Sequence, residues 1–409
     1  MRILYLNPCG RLGGAETSLR ELLASVRVAE PEWDLWLVLG EDGPLRNRAQ
    51  ELGIKVVVLP FPPSLARVGD TGQSLLASVG LLLKAACSTA LYSRRLTRVV
   101  RSIRPHIVHT NGFKMHLLGA WTRPKEATLI WHIHDYLSTR PLMSRLLHVF
   151  HKTCTVAIVN SRSVAADVRS LFAGLRIAPI YNAVDLERFS PLKKKLDLDA
   201  MTGLCPAAPG TVRVGLVATF ARWKGHKVFL QALARLASDT LVRGYVIGGP
   251  IYQTDSQWSL MELQQEAERL GLADKVGFTG FVENTEAAMR SLDIVVHAST
   301  KPEPFGMVIV EAMACGRSII VSKAGGAAEL FEEERTGLGH PPGDVTVLAA
   351  QMARLVNDPS LRARLGNAAR AAAVISFHGS RLAYEVTRLY RECHAEVCNS
   401  PVLLPSFKS

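Results

Sequence analysis

Short β-branched and aliphatic runs alternate with helical patterns along almost the whole chain, and that alternation limits the fold more than any other feature. The runs are Arg2–Asn7, Trp33–Leu39, Ile54–Leu59, Ile107–Thr110, Thr128–Ile133, Val156–Asn160, Val212–Val217, Gly244–Ile247, Val276–Thr279, Ile294–His297 and Ser318–Ser322. A strand that is apolar on both sides and is followed by a helix belongs to a parallel sheet covered on both faces. The series breaks once, at residues 183–211, where Pro191, the Lys193–Lys195 run and the turn-rich Pro206–Gly210 show no strong period. With 409 residues, two cores are expected, since single cores stop growing beyond roughly 250–300 residues. The fold class is therefore α/β, with two doubly wound domains at residues 1–182 and 212–376 and an inter-domain connection at 183–211. Apolar spacing of three and four predicts helices at Asp344–Asn357, Pro359–Val374 and Ser380–His394. Residues 377–409 are then a C-terminal helix and tail packing back towards the first domain, with an unpatterned, mobile end at Val397–Ser409. Ligands are expected at the carboxyl ends of the strands and in the cleft between the domains.

Charge is unevenly placed. The net charge is +12, and residues 1–180 hold 23 basic and 12 acidic side chains against 25 and 24 in the remainder. Residues 84–152 carry 12 Lys and Arg against Glu126 and Asp135; such a stretch suits an anionic partner, a lipid leaflet or nucleic acid, or is simply a solvated face. Seven cysteines without a CxxC pair indicate neither a disulfide framework nor a zinc ribbon. The first strand begins at Arg2 with no room for a signal peptide, and Ser74–Ser93 is broken by Lys84 and Gly80, so a cytoplasmic chain, soluble or peripheral at the inner face of the cell membrane, is expected.

Three loops carry chemistry. Gly10-Arg11-Leu12-Gly13-Gly14-Ala15-Glu16 follows the first strand and opens a helix; Gly13 and Gly14 let the backbone approach a phosphate or sugar beside unpaired helix N–H groups, or merely make a tight turn. The pattern is not GxGxxG, which argues against a nicotinamide site. Ala221-Arg222-Trp223-Lys224-Gly225-His226 follows strand Val212–Val217; Arg222 and Lys224 are placed to neutralise a diphosphate, or are surface cations of a loop. The most specific is Pro302-Glu303-Pro304-Phe305-Gly306-Met307-Val308-Ile309-Val310-Glu311. Glu303 lies in a loop after strand Ile294–His297, Gly306 opens a helix, and Glu311 lies about one and a half turns inside it. Among Val308, Ile309, Ala312 and Met313 a buried carboxylate needs hydrogen-bond donors, which a ribose diol supplies; Glu303 could take sugar hydroxyls, and either glutamate could instead form an ion pair. Ala324-Gly325-Gly326 repeats the strand, glycine loop, helix pattern next door.

With these residues in place, the chain resembles the family 4 glycosyltransferases, retaining enzymes of the GT-B fold with two Rossmann-like domains facing a central cleft. Gly13-Gly14-Ala15-Glu16, Val108-His109-Thr110-Asn111-Gly112, Trp131-His132-Ile133-His134-Asp135 and Asn182-Ala183-Val184-Asp185 look like the family's N-domain and inter-domain segments, and Glu303 and Glu311 match its two glutamates. The resemblance implies a nucleotide-sugar donor with Arg222 and Lys224 on the diphosphate, Glu303 on the sugar and Glu311 on the ribose. It also implies backbone N–H groups of Phe305, Gly306, Met307 and Val308 near sugar and phosphate, and His134 by the reacting sugar, with His132 and His109 as competitors. Asp135 would orient His134 or cap the next helix. Thr219 stands where the family often has arginine, and Ala183 replaces a glycine.

The implied reaction is retaining transfer of a sugar from a nucleoside diphosphate sugar to a hydroxyl of a saccharide or lipid-linked acceptor, in polysaccharide, lipopolysaccharide or glycolipid synthesis. His134, Lys224 and Glu303 are the expected catalytic residues. Neither a metal nor another cofactor is expected, because no Asp-x-Asp pair sits at a strand end, and no nucleic acid is expected as a partner. A nucleotide-sugar epimerase of the same fold and a non-catalytic sugar-nucleotide or membrane-binding module are the alternatives. In the stretch 74–104, apolar Leu75, Leu76, Val79, Leu81, Leu82 and Leu83 precede Arg94, Arg95, Arg98, Arg101 and Arg104, a pattern of an interfacial helix over anionic lipid or of a helix packed on the sheet with its arginines in water.

Overall fold

The computed structural model describes residues 1–11, 13–62, 75–236, 240–251 and 254–399, with side chains left out at 75–87 and 399. The chain divides into two compact units, Met1–Ala183 with Gly379–Ser409, and Val184–His378. Each is built round a parallel sheet.

In the first unit the elements run β1 (Arg2–Asn7), α1 (Gly14–Ala29), β2 (Asp34–Leu39), α2 (Pro44–Glu51), β3 (Lys55–Val58), α3 (Leu75–Ile103), β4 (Ile107–Asn111), α4 (Phe113–Thr122), β5 (Thr128–Ile133), α5 (Pro141–Phe150), β6 (Val156–Val159), α6 (Arg162–Leu171) and β7 (Ile177–Pro179). The sheet order is β3-β2-β1-β4-β5-β6-β7. Side chains alternate across it. Ile3, Tyr5, Ile107, Ile130 and Ile158 meet Leu19, Leu22, Leu23 and Val26 of α1 on one face. Leu4, Leu6, Val108, Leu129 and Trp131 meet α3 to α6 on the other. The order reverses between β1 and β4, so the loops after these two strands diverge and leave a crevice at their carboxyl ends.

The second unit runs α7 (Leu198–Thr202), β8 (Val212–Val217), α8 (His226–Ala234), β9 (Val242–Ile247), α9 (Leu260–Arg269), β10 (Val276–Gly280), α10 (Thr285–Arg290), β11 (Ile294–His297), α11 (Met307–Ala314), β12 (Ser318–Ser322), β13 (Leu338–His340), α12 (Val345–Asn357) and α13 (Pro359–Ser376). Its sheet order is β10-β9-β8-β11-β12-β13, which places the same reversal between β8 and β11. The last helix, α14 (Gly379–Asn399), belongs to the first unit. There Leu382, Val386, Leu389, Tyr390 and Cys393 are buried in the α1 core.

Two details depart from the reading of the sequence. Residues 184–211 fold as part of the second unit. The Asp-x-Asp of this segment is structural: Asp197 caps α7 by accepting from the Ala200 N–H at 3.0 Å, and buried Asp199 accepts from Arg213, Arg243 and Tyr245. The strands β7 and β13, three residues each, are also present. The two ends of the second unit lie together, Val184 N–H donating to the Phe377 carbonyl at 3.0 Å.

In α3 the described side chains Tyr92, Leu96, Val100 and Ile103 recur at four, four and three residues and are buried on the sheet. Arg94, Arg95, Arg98 and Arg101, with Arg104 just beyond the helix, are exposed. Ser74 and the side chains of Leu75 to Leu83 lie outside the described residues, as does the tail from residue 400. No helix among the described residues is long and apolar enough to cross a membrane.

Candidate active site

The second unit brings the loops after β8 and β11 together because those strands pair, Ile294 beside Val214 and Val295 beside Gly215. At their carboxyl ends Lys224 Nζ donates to both oxygens of Glu303 at 2.7 Å. Ser299 Oγ donates to Glu303 Oε2 at 2.9 Å, and His297 Nε2 lies 3.3 Å from the same oxygen. Burial alone would push the Glu303 carboxyl up, but the Lys224 ammonium and the His297 contact outweigh it and hold the group well below the usual carboxylate range. A small pocket beside this cluster is lined by Ala218, Lys224, His297, Ser299 and Val308.

Glycine makes this approach possible. Gly225 has φ +79° and its missing Cβ would stand 1.9 Å from the Ala298 carbonyl oxygen, so the turn that carries Lys224 lies directly on the end of β11. On the other side, the loop with Glu303 is tied to its neighbour by Gly326 N–H donating to the Glu303 carbonyl at 2.7 Å.

Gly306 caps α11 in the left-handed region, φ +107°, with no side-chain cap on the helix. The N-terminal N–H groups of Met307 and Val308, on half-buried residues, thus begin a helix whose positive end favours an anion. Phe305 is buried against Phe377, ring centroids 6.2 Å apart, and anchors this start. Glu311 is half-buried on the same helix, not enclosed as its apolar neighbours suggested.

Arg222 is held elsewhere. Its guanidinium stacks 3.7 Å over the Trp258 ring and donates to the Asp255 carbonyl and to Glu262 at 3.2 Å. The structure therefore joins Lys224 with Glu303 and gives Arg222 other partners, contributed by a segment distant in sequence.

In the first unit the glycine loop has a mixed basis. A Cβ on Gly10 would meet the backbone of Asp42 and Gly43 at 2.6 Å, and one on Gly13 would meet Glu16 Oε2 at 2.8 Å, whereas one on Gly14 would meet nothing within 4 Å. Glu16 reaches back to accept from the Gly13 N–H at 3.2 Å. His134, just beyond β5, bonds through Nε2 to Asn111 Oδ1 at 2.5 Å, and burial pushes its imidazole down to about 4. Asp135 neither orients this ring nor caps α5: it accepts from the Tyr136 N–H and pairs with Arg140 at 3.1 Å. His109 and His132 are fully enclosed in the sheet face. His297 and Ser299 were missed by sequence reasoning; their signal is two polar residues at the period of a strand, at the end of an aliphatic run.

Two family models match successive segments, residues 12–188 to Glycosyltransferase Family 4 and residues 208–372 to Glycosyl transferases group 1. The chain belongs to the family 4 glycosyltransferases. D-inositol 3-phosphate glycosyltransferase 2 of Catenulispora acidiphila is 34% identical over 225 residues, 51% of this chain and 49% of that one. Lipopolysaccharide core biosynthesis mannosyltransferase LpcC of Rhizobium leguminosarum bv. viciae is 26% identical over 263 residues, 60% of this chain and 73% of the relative. The chain thus spans about half the length of the first of these relatives. Among solved structures, HepE of Anabaena in complex with UDP is 25% identical and covers 96% of this chain and 100% of its own, with a TM-score of 0.76; its complex with UDP-glucose gives 0.75. Both sheets and the helices between them are those of GT-B glycosyltransferases, two Rossmann-like domains.

Proposed function

We propose that this family 4 chain transfers a sugar, with retention, from a nucleoside diphosphate sugar to an acceptor hydroxyl. The observation that carries the reading is the Lys224–Glu303 pair, 2.7 Å apart at the carboxyl ends of β8 and β11 and next to the helix that Gly306 opens. A departing diphosphate gathers negative charge while the sugar becomes oxocarbenium-like. A fixed ammonium and a helix N-terminus stabilise the first, and a carboxylate pinned by Ser299 and His297 takes sugar hydroxyls. Glu311 is assigned to the ribose and the Phe305 to Val308 N–H groups to sugar and phosphate. Arg222 reaches a phosphate only by leaving Trp258 and Glu262. Gly13, Gly14 and His134 are assigned to the reacting sugar and acceptor. UDP and UDP-glucose, bound by HepE, are the first donors to try.

The test is turnover of a panel of UDP-, GDP- and ADP-sugars by the purified chain, with the anomer of the product read by NMR. The expected result is release of one nucleoside diphosphate with retention, at the same rate in excess EDTA as in magnesium, since on this reading Lys224 and the N-terminus of α11 meet the developing diphosphate charge. No release from any sugar, or inversion, would overturn the reading.

The acceptor is assigned to a saccharide or a lipid-linked sugar, with an anionic membrane beside it. Support comes from the exposed arginines of 94–104 together with exposed Trp121 and Val149 on α4 and α5 of the same helix layer. Near anionic lipid each arginine adds about 1 kcal/mol before screening. Sedimentation with phosphatidylglycerol vesicles is expected to capture the wild type at low salt and to lose at least about tenfold in Arg94→Glu/Arg98→Glu/Arg101→Glu, a loss of about 1.4 kcal/mol or more. Equal binding of both proteins, or binding equal on neutral vesicles, would remove the membrane from the reading.

A further inference from the structure

On the face of the first sheet that packs on α1 and α14, polar side chains gather near the carboxyl ends of the central strands. There Asn7 of β1, His109 and Asn111 of β4, and His132 of β5 are buried, and His134 follows directly. Register brings them side by side: Tyr5 pairs with His109 and Asn111 with His132. Such a polar layer inside a core persists only where its donors and acceptors are matched.

The matching fixes a direction. Asn7 Nδ2 donates to the Cys9 carbonyl at 2.5 Å. A carbonyl only accepts, so the amide nitrogen faces it and Oδ1 faces Asn111. Asn111 Nδ2 donates to that oxygen at 2.7 Å, which turns its own Oδ1 towards His134 Nε2 at 2.5 Å. An amide oxygen only accepts, so Nε2 must carry the hydrogen, and a neutral imidazole then has none on Nδ1. Nδ1 is buried and has no hydrogen-bond partner among the described residues. The ring is braced from its other side by His132, ring centroids 4.0 Å apart. His132 Nδ1 lies 3.2 Å from His109 Nε2, and His109 Nδ1 lies 2.7 Å from the Tyr390 hydroxyl of α14.

We propose that Asn7 and Asn111 are positioning residues that lock His134 in its Nε2–H tautomer, leaving Nδ1 a bare lone pair, so that this ring accepts from a sugar hydroxyl and does not act as an acid. The lock holds whatever the ligand; the use of the lone pair rests on the transferase reading above. The groups that face the ring and titrate are His132 of β5, His109 of β4 and, behind the sheet, His116 of α4, with Tyr5 and Tyr390 further along the network. Burial keeps the histidines among them neutral near pH 7.

The experiment is long-range ¹⁵N–¹H correlation on the full chain with ¹⁵N-labelled histidine, the His134 signals assigned by their loss in His134→Gln. At pH 7 the wild type is expected to show protonated Nε2 and bare Nδ1 at His134. Asn111→Leu is expected to give a mixture of tautomers. Asn111→Asp restores an acceptor for Nε2 but adds a charge, and is expected to raise the ring's titration midpoint by at least one pH unit. An Nδ1–H tautomer or an imidazolium in the wild type overturns the proposal without any variant needing to fold, and so does an unchanged tautomer in Asn111→Leu. Kinetics separate the two levels. With a donor in hand, Asn111→Leu is expected to lower kcat at least tenfold with KM within threefold; a correct tautomer in a chain that turns over no nucleotide sugar would leave the lock and remove the transferase.

Discussion

Replacing Gly225 by alanine is expected to abolish turnover, lowering kcat by at least about a hundredfold, and to destabilise the second unit by about 2–4 kcal/mol. The residue sits at φ +79°, and the added Cβ would stand 1.9 Å from the Ala298 carbonyl oxygen. The left-handed conformation alone costs an L-residue roughly 1–2 kcal/mol. The overlap costs more, because its partner is backbone at the end of β11 and cannot rotate away. Relief requires the turn to lift from the strand, and Lys224, the preceding residue, moves with it. Gly14→Ala is the contrast: no atom lies within 4 Å of the added Cβ, and its stability should stay within about 0.5 kcal/mol of the wild type. Chemical denaturation followed by tryptophan fluorescence, with circular dichroism to check the fold, measures both. A Gly225→Ala protein as stable and active as the wild type would mean that the approach of these two loops is not what holds the site.

Lys224→Met should act through charge. In the wild type the buried carboxylate of Glu303 is neutralised at 2.7 Å by Lys224. Removing one partner of a buried pair costs about 3–5 kcal/mol; here the side chains keep 19% and 11% of their exposure, so about 2–4 kcal/mol near pH 7 is expected. The pH dependence has a definite sign. The folded-state pKa of Glu303 lies below its unfolded value, so the stabilisation is fully present above about pH 4.5, the unfolded range. It fades as pH falls through the folded value. Without Lys224, burial acts against Ser299 and His297 alone and raises the carboxyl. The gap between wild type and variant should therefore be widest near neutrality and shrink below about pH 4. A constant gap across pH would assign the effect to packing.

The fold was legible because its signal is periodic and repeated. Each of the aliphatic runs became a parallel strand, buried in the middle of its sheet and partly exposed at the edge strand β3, and the helices between them appeared with their caps, as at Asp344 and Asp358. The strands β7 and β13 were not legible: three residues carry no alternation, and Pro179 in β7 is a residue that a sheet tolerates at an edge. Lys224 and Glu303 could be picked out by type and place, but their pairing depends on β8 lying beside β11, which local sequence does not encode. The partners of Arg222 were illegible for the same reason, since Trp258 and Glu262 come from a loop and helix more than thirty residues on. The arginines at 94–104 were open to two readings, and the described half of α3 packs on the sheet and turns them to solvent.

Calorimetric titration of UDP into the wild type, Lys224→Met and Glu311→Ala tests the donor site most directly. A nucleotide held by a ribose carboxylate, an ammonium and a helix terminus is expected to bind the wild type with a Kd of about 1–100 μM, near −8 to −5 kcal/mol, and each substitution should weaken it at least tenfold. GDP and ADP in the same cell cover a different base. Binding of one nucleoside diphosphate that both substitutions weaken is the result predicted; binding that neither substitution touches, or none for any of the three, would contradict the assignment of the donor to the loops after β8 and β11.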